Sequence, residues 1–100
     1  EEVAARLRAD PLRRWQLPAL AAEHGLSWSA LRQALRRRTG AAPQRLLRAV
    51  RLERGAQALA GGASVAAAAA AAGFADPFHF SRLFRRAYGV PPRAWRDVAG

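Results

Sequence analysis

The feature that most constrains the fold of this chain is an internal repeat. Residues 16–26 align with residues 64–74 at an offset of 48 positions. After one inserted residue, residues 31–43 align with residues 80–92 at an offset of 49. In each copy, two segments with helical apolar spacing flank a turn that contains glycine. The chain is therefore predicted to contain the same small helical unit twice.

Glycine and proline divide the chain into helical segments, and nothing is predicted to be a strand. β-branched residues, which favour strands, are limited to five Val and one Thr, with no Ile. Ser27, Ser64 and Asp76 are predicted N-caps, and Pro77 suits a first helical position. Seven helices are predicted, at about residues 1–9, 17–24, 28–38, 44–60, 64–72, 77–87 and 92–98.

Each copy contains the pattern Ala-x-x-x-Gly followed by an apolar residue. A tight helix-turn-helix needs a small residue where its helices cross and a turn residue that tolerates positive φ. The apolar residue is expected to anchor the turn. The residues concerned are Ala21, Gly25 and Leu26 in the first copy and Ala69, Gly73 and Phe74 in the second.

These patterns predict an all-α fold in which two helix-turn-helix subdomains of homeodomain-like architecture are joined by a long helix. The predicted divisions are residues 1–43, the linker helix 44–60, and residues 61–100. A helix of about 17 residues is roughly 25 Å long. With packed ends, it could hold two recognition helices about one DNA turn, roughly 34 Å, apart.

The charge of the chain indicates a polyanionic partner. Arginine supplies all 17 basic residues against 7 acidic ones, giving a net charge of +10 and a pI near 12.0. Nucleic acid and an anionic membrane surface both fit this balance. The absence of cysteine excludes disulfides and thiolate zinc sites, and two histidines alone cannot form a His-rich metal centre. No targeting signal is recognised, and the longest apolar run of eight residues is too short for a membrane span.

Helical projection places a polar stripe opposite an apolar stripe on each predicted recognition helix, at about 28–38 and 77–87. Arg, Gln and Ser suit the donor and acceptor groups of the major groove, and an apolar group suits a thymine methyl. Outward arginines are usually solvated surface, but two repeated basic faces favour DNA. The outer stripes are Ser29, Arg32, Gln33 and Arg36, then Phe78, Ser81, Arg82 and Arg85. The inner stripes are Ala30, Leu31, Ala34 and Leu35, then Phe80, Leu83, Phe84 and Ala87.

Arginines late in both helices, at Arg36–Arg37 and Arg85–Arg86, have two interpretations. They complement the negative end of the helix dipole, and they could grip phosphates beside the groove. We favour the interpretation that they contact phosphates. Trp15 and Trp95 are expected to close two small cores, whereas Trp28 could belong to the core, the surface or the DNA face.

The second copy resembles the DNA-binding domain of AraC/XylS-type transcription regulators, and the resemblance extends over nearly the whole chain. The second copy matches through Gly73-Phe74, Phe80-Ser81-Arg82, Phe84-Arg85-Arg86, Gly89-Val90-Pro91 and Trp95-Arg96. The first copy matches through Gly25-Leu26-Ser27, Leu31, Leu35, Thr39-Gly40 and Pro43. In the joining helix, Arg51-Leu52-Glu53-Arg54-Gly55 is similar to the family's Arg-Leu-x-x-Ala.

This resemblance implies a DNA-binding protein that regulates transcription from the bacterial cytoplasm, associated with the nucleoid. It implies double-stranded DNA and RNA polymerase as partners. Most members of the family have a separate N-terminal effector or dimerisation domain, so the chain is either a stand-alone member or, as we favour, the C-terminal domain of such a regulator. No cofactor is expected. By position the resemblance assigns base reading to Ser29, Arg32, Gln33, Phe78, His79 and Arg82. We assign phosphate contacts to Arg36, Arg37, Ser81, Arg85 and Arg86.

Two departures from the family pattern change these expectations. Ala68 stands where the family tends to have Ile, so a looser second core is expected. Pro77 and Phe78 replace residues that are often polar, so the second recognition helix is expected to read bases weakly or through DNA shape.

Three other functions share part of this sequence evidence. A non-specific DNA-binding module of a larger repair or regulatory protein would share the charge. An enzyme is disfavoured because the seven carboxylates are scattered and no nucleophilic cysteine or metal cluster is present. A membrane-surface helix bundle is disfavoured by the two aligned turns.

Overall fold

The computed structural model describes residues 2–99, and over this range the chain forms seven α-helices and no strand. The predicted all-α class is confirmed, and within the described range each predicted helix end lies within one residue of the observed end. The helices are α1 (Glu2–Ala9), α2 (Leu17–Glu23), α3 (Trp28–Thr39), α4 (Pro43–Ala60), α5 (Val65–Ala71), α6 (Pro77–Tyr88) and α7 (Pro92–Ala99).

The three predicted N-caps are present. The hydroxyl oxygens of Ser27 and Ser64 each accept a hydrogen bond from the backbone N–H three residues later, at 3.1 Å. The Asp76 carboxylate accepts from the Phe78 N–H at 3.0 Å. Each cap satisfies a backbone donor that the first helical turn leaves unpaired, so the sequence itself determines where α3, α5 and α6 begin.

The two helix-turn-helix turns have the same geometry. Both turn glycines have positive φ, 70° at Gly25 and 83° at Gly73, as the motif requires. In each copy, the N–H of the residue after the glycine donates to the carbonyl of the buried alanine, at 2.9 Å. The pairs are Leu26 with Ala21 and Phe74 with Ala69. Leu26 stays 38% exposed, so the backbone anchors the first turn more than the apolar side chain does.

Long-range contacts divide the chain into two compact units, one ending at Val50 and the other beginning at Arg51, within α4. In the first unit, α1, α2, α3 and the start of α4 enclose an aliphatic core. Its buried residues are Val3, Ala4, Leu7, Leu17, Leu20, Ala21, Leu31, Leu35, Leu46 and Leu47. The first part of the joining helix therefore contributes buried side chains to this core.

The second core is built from alanines and aromatic rings. The side chains that α5 contributes as buried residues are small, and ring contacts connect Phe74, Phe80, Phe84, Tyr88 and Trp95. The buried residues are Leu52, Ala56, Leu59, Ala68, Ala69, Ala72, Phe80 and Phe84. The aromatic rings thus supply apolar volume that the buried alanine side chains of α5 do not.

Phe80 fills space next to the α4 backbone. A Cβ atom placed on Gly55 would lie 2.6 Å from Cε1 of the Phe80 ring, and 3.4 Å from Cβ of Ala72. Phe80 is itself fully buried. Glycine at position 55 therefore permits a close approach of the aromatic ring that the family's alanine would block.

The two tryptophans predicted to close the cores do so. Trp15 packs on the first core and donates its indole N–H to the Asp10 carbonyl at 2.9 Å. Trp95 packs on the second core and donates to the Ala56 carbonyl at 3.3 Å. Each indole thus covers apolar side chains while its N–H is satisfied by backbone.

The prediction for one core residue, Ala87, is wrong. Ala87 was assigned to the inner stripe of α6, but its side chain is exposed. The next residue, Tyr88, takes the contact instead and stacks on Phe84 with ring centroids 4.4 Å apart. A methyl group at the last turn of the helix offers little area to bury, whereas the tyrosine ring reaches back to the core.

Candidate nucleic-acid interface

The outward face of α3 has the composition predicted for it. Ser29, Arg32, Gln33 and Arg36 are all exposed and together line a shallow depression of about 170 Å³. On the opposite side of the helix, Leu31 and Leu35 are buried in the first core. The core therefore fixes which side of α3 faces outward, and that side presents hydroxyl, amide and guanidinium groups together.

Trp28 supports the arginine at the centre of this face. Its ring is half-buried against the first core, and the Arg32 guanidinium carbon lies 5.8 Å from the ring centroid. At that distance the aromatic face attracts the cation. Trp28 is thus both a core residue and a platform for Arg32, a combination that helical spacing of four residues could have indicated.

The outward face of α6 is partly apolar. Phe78 is 76% exposed in the first turn, and Arg82 is exposed one turn later. Arg85 and Arg86 are exposed in the last turn, whereas Ser81 is half-buried. The structure thus brings the residues predicted for base reading to the first two turns of α6.

His79 is fixed by the second helix-turn-helix turn. Its side chain is exposed, but its ring meets the Phe74 ring edge to face, with centroids 5.5 Å apart. Phe74 in turn packs against the second core. His79 therefore borders the outward face from a supported position rather than as a free surface side chain.

The positive charge of both faces is uncompensated. Among residues 2–99, no carboxylate forms an ion pair with the arginines of the two faces, which are Arg32, Arg36, Arg37, Arg82, Arg85 and Arg86. The ion pairs that are present lie elsewhere, such as Arg6 with Glu23 at 3.4 Å. These guanidinium groups are therefore available to an external anion such as a phosphate or a base acceptor.

Two other features were sought in the described part of the chain, a metal-binding cluster and a membrane-spanning helix. No three His, Asp or Glu side chains in it are grouped closely enough to hold a metal ion. None of its helices combines the length and the apolar character needed to cross a membrane. The other histidine, His24, lies at the end of α2. Its Nε2 is 3.5 Å from Nη1 of Arg6, and its Nδ1 is 3.8 Å from Oε1 of Glu2.

Comparison with known proteins identifies the family. A family model described as a helix-turn-helix domain matches residues 20–97. The HTH-type transcriptional activator RhaS of Escherichia fergusonii is 42% identical over 80 residues, which are 79% of this chain and 29% of that protein. The chain thus spans less than a third of the length of this relative.

Solved structures agree over nearly the full chain. A probable AraC family transcriptional regulator from Rhodopseudomonas palustris is 30% identical, with a TM-score of 0.83 over 97% of this chain and 93% of that one. The DNA-binding domain of AdpA, solved in complex with a target DNA, is 28% identical, with a TM-score of 0.85 over 97% of this chain and 88% of that one. The chain therefore belongs to the family of AraC-type helix-turn-helix DNA-binding domains.

Proposed function

We propose that this chain binds specific double-stranded DNA sites to regulate transcription, with α3 and α6 entering successive major grooves. The observation that supports this most strongly is the pair of outward faces, each with arginines that lack a carboxylate partner among the described residues. The match to AdpA, a transcriptional factor solved with its target DNA, supports the same mode of action.

In this proposal the residues divide into two roles. Residues in the first two turns of α3 and α6 read base edges, because the N-terminal part of a recognition helix contacts the bases, and Ser81 is the one residue of these turns assigned to phosphate. The later residues hold phosphates and set the register. Base reading belongs to Ser29, Arg32, Gln33, Phe78, His79 and Arg82, and phosphate binding to Arg36, Arg37, Ser81, Arg85 and Arg86.

Selection of bound sequences from random duplexes, followed by fluorescence anisotropy, tests this function. We expect a selected site to be bound at least about 1,000-fold more tightly than a scrambled duplex at the same salt concentration. Equal affinity for both duplexes would instead identify a non-specific DNA-binding module.

A single substitution then tests the role of α3. Arg32→Ala should weaken binding to the selected site by about 1–3 kcal/mol and relax the preference for guanine at one position, if the side chain contacts O6 and N7. Arg54→Ala, at an exposed position of α4, removes the same charge outside both faces and is the matched control. Equal losses in the two variants would show that Arg32 contributes only charge.

The similarity to a transcriptional activator that is much longer than this chain extends the proposal to the whole regulator. We propose that this module works in the bacterial cytoplasm, on nucleoid DNA, with an effector or dimerisation domain and in contact with RNA polymerase. Transcription in vitro from a promoter that contains the selected site, with and without the protein, measures the direction of regulation.

A further inference from the structure

Phe78 differs from the other phenylalanines of the chain. Phe74, Phe80 and Phe84 contact other aromatic rings and belong to, or pack against, the second core. Phe78 is 76% exposed and has no ring partner among the described residues. A large apolar ring in this position loses contact with water only if something outside the chain covers it.

The local backbone holds Phe78 at the start of the recognition helix. Its N–H donates to the Asp76 carboxylate at 3.0 Å, and Pro77 before it has a fixed φ that suits the first helical position. Phe78 is therefore in the first turn of α6, on the outward side, where a recognition helix contacts base edges.

The chemistry of a phenyl ring limits which base edge it can face. The ring neither donates nor accepts a conventional hydrogen bond, so it would strip water from the O6, N7 or amino groups of a base without replacing the lost hydrogen bonds. The apolar group in the major groove is the C5-methyl of thymine. We propose that Phe78 recognises the C5-methyl group of a pyrimidine, either thymine or 5-methylcytosine, an inference that rests on the DNA binding proposed above.

The neighbours of Phe78 add a second element to the recognised sequence. Arg82 lies four residues later, so its side chain emerges on the same side of α6. Its guanidinium has no carboxylate partner among residues 2–99 and matches the two acceptors of guanine. The half-site of α6 should therefore pair a C5-methylated pyrimidine with a guanine within about two base pairs, since Phe78 and Arg82 are about 6 Å apart along the helix axis and base pairs are about 3.4 Å apart.

The test removes one methyl group at a time from the DNA. In the site selected from random duplexes, each thymine is replaced in turn by deoxyuridine, which differs only by that methyl. At one position we expect affinity to fall about fourfold, the effect of burying one methyl-sized group. Where a C·G pair replaces the T·A pair at that position, 5-methylcytosine should bind more tightly than cytosine by a similar factor.

Variants at position 78 connect this effect to the side chain. Phe78→Ser should bring the ratio of affinities for thymine and deoxyuridine close to one, whereas Phe78→Leu, which keeps an apolar group, should retain most of it. Circular dichroism checks the folding of both variants, which should match the wild-type chain because position 78 is exposed.

The outcomes separate this inference from the proposed function. If selection yields no preferred site, sequence-specific binding itself fails. If a site is found but no thymine in it is methyl-sensitive, or if Phe78→Ser keeps the full ratio, the inference is overturned while DNA binding stands. A role for Phe78 in contacting another protein would give this second pattern.

Discussion

Tyr88 shows how a single residue of the second core responds to pH. It is the one tyrosine of the chain, its ring stacks on Phe84 at 4.4 Å, and it meets Trp95 edge to face at 5.0 Å. Burial, and then the negative charge of Glu53, raise the pKa of the Tyr88 hydroxyl above its ordinary value of 10.0. Because the chain has no lysine or cysteine, no other side chain titrates in the same alkaline range.

The chain should therefore lose stability above about pH 10, where its tyrosine ionises when unfolded. The folded state holds the proton more tightly than the unfolded state, so this contribution is complete below pH 10.0 and declines as pH rises through the folded pKa. Thermal unfolding between about pH 8 and 11 measures it, with tyrosinate absorbance as the readout of ionisation. In Tyr88→Phe the decline should disappear, and an unchanged decline would assign it to another cause.

Gly55 tests how tightly the aromatic ring of Phe80 is packed. Gly55→Ala should gain about 1 kcal/mol from helix propensity, but it places a Cβ 2.6 Å from a ring that is fully buried. Overpacking of this kind costs about 1–3 kcal/mol, so we expect a net loss of roughly 1 kcal/mol. Denaturant unfolding measures the change.

Two further variants identify the cause of the expected loss of stability. Gly61→Ala, one residue after the end of α4, is the control for adding a methyl group without overpacking, since a Cβ there would meet nothing closer than the Ala58 carbonyl at 3.5 Å. Phe80→Leu combined with Gly55→Ala should recover part of the loss that either change causes alone. A stabilised Gly55→Ala chain would show that Phe80 moves aside at little cost.

For the helices, the sequence predicted the features that depend on residues close together in the chain. Each predicted helix end within the described range fell within one residue because Ser, Asp, Gly and Pro act on the backbone directly beside them. The polar faces followed from the helical period in the same way. Contacts between distant parts of the chain were not predictable: helical projection assigned Ala87 inward, and no pattern indicated that Phe80 lies against Gly55. The roles of the site residues remain predictions, since exposure alone does not identify a partner.

The last turns of α3 and α6 allow the two interpretations of their arginines to be separated. If Arg36 and Arg85 each neutralise a phosphate, Arg36→Ala and Arg85→Ala should each reduce the slope of log affinity against log salt by about 0.9, and the double variant by about 1.8. Binding titrations at several salt concentrations on one duplex give these slopes. Arg54→Ala, on the exposed side of α4, should leave the slope nearly unchanged.

The alternative predicts a different pattern. Arginines that only complement the helix dipole stabilise the folded chain by about 0.3–1 kcal/mol, and their loss would lower unfolding stability instead. A wild-type salt slope combined with reduced stability would therefore show that Arg36 and Arg85 do not contact phosphates. The two measurements together assign each arginine to DNA or to its own helix.

For the molecule as a whole, the repeat gives part of the positive charge a defined placement, since two matched helix faces hold six of the 17 arginines. Each unit presents one outward helix face, and the arginines of these two faces have no carboxylate partner in the described chain; they are Arg32, Arg36, Arg37, Arg82, Arg85 and Arg86. The two faces nevertheless differ in chemistry: the α3 face includes Ser29 and Gln33, whereas the α6 face includes Phe78 and is bordered by His79. A single chain with two unlike reading faces is suited to an asymmetric DNA site, in contrast to the palindrome that a symmetric dimer reads.

From this asymmetry we predict the length of the protected DNA and which half of it each unit protects. If both units bind at once, the chain should protect about 20 base pairs, two successive helical turns. Arg32→Ala should then expose one half of the footprint, and Arg82→Ala the other half, because each removes a base contact from one unit. Footprinting of the selected site with the wild-type chain and both variants measures this.

The two units need not contribute equally to the affinity for DNA. The α3 face has more hydrogen-bonding groups for base edges, whereas Phe78 offers apolar contact, so we expect Arg32→Ala to cost more affinity than Arg82→Ala. A footprint of about 10 base pairs that Arg82→Ala leaves unaltered would mean that the first unit alone binds the site. The repeat would then reflect the ancestry of the fold, and the second unit would be free for another partner.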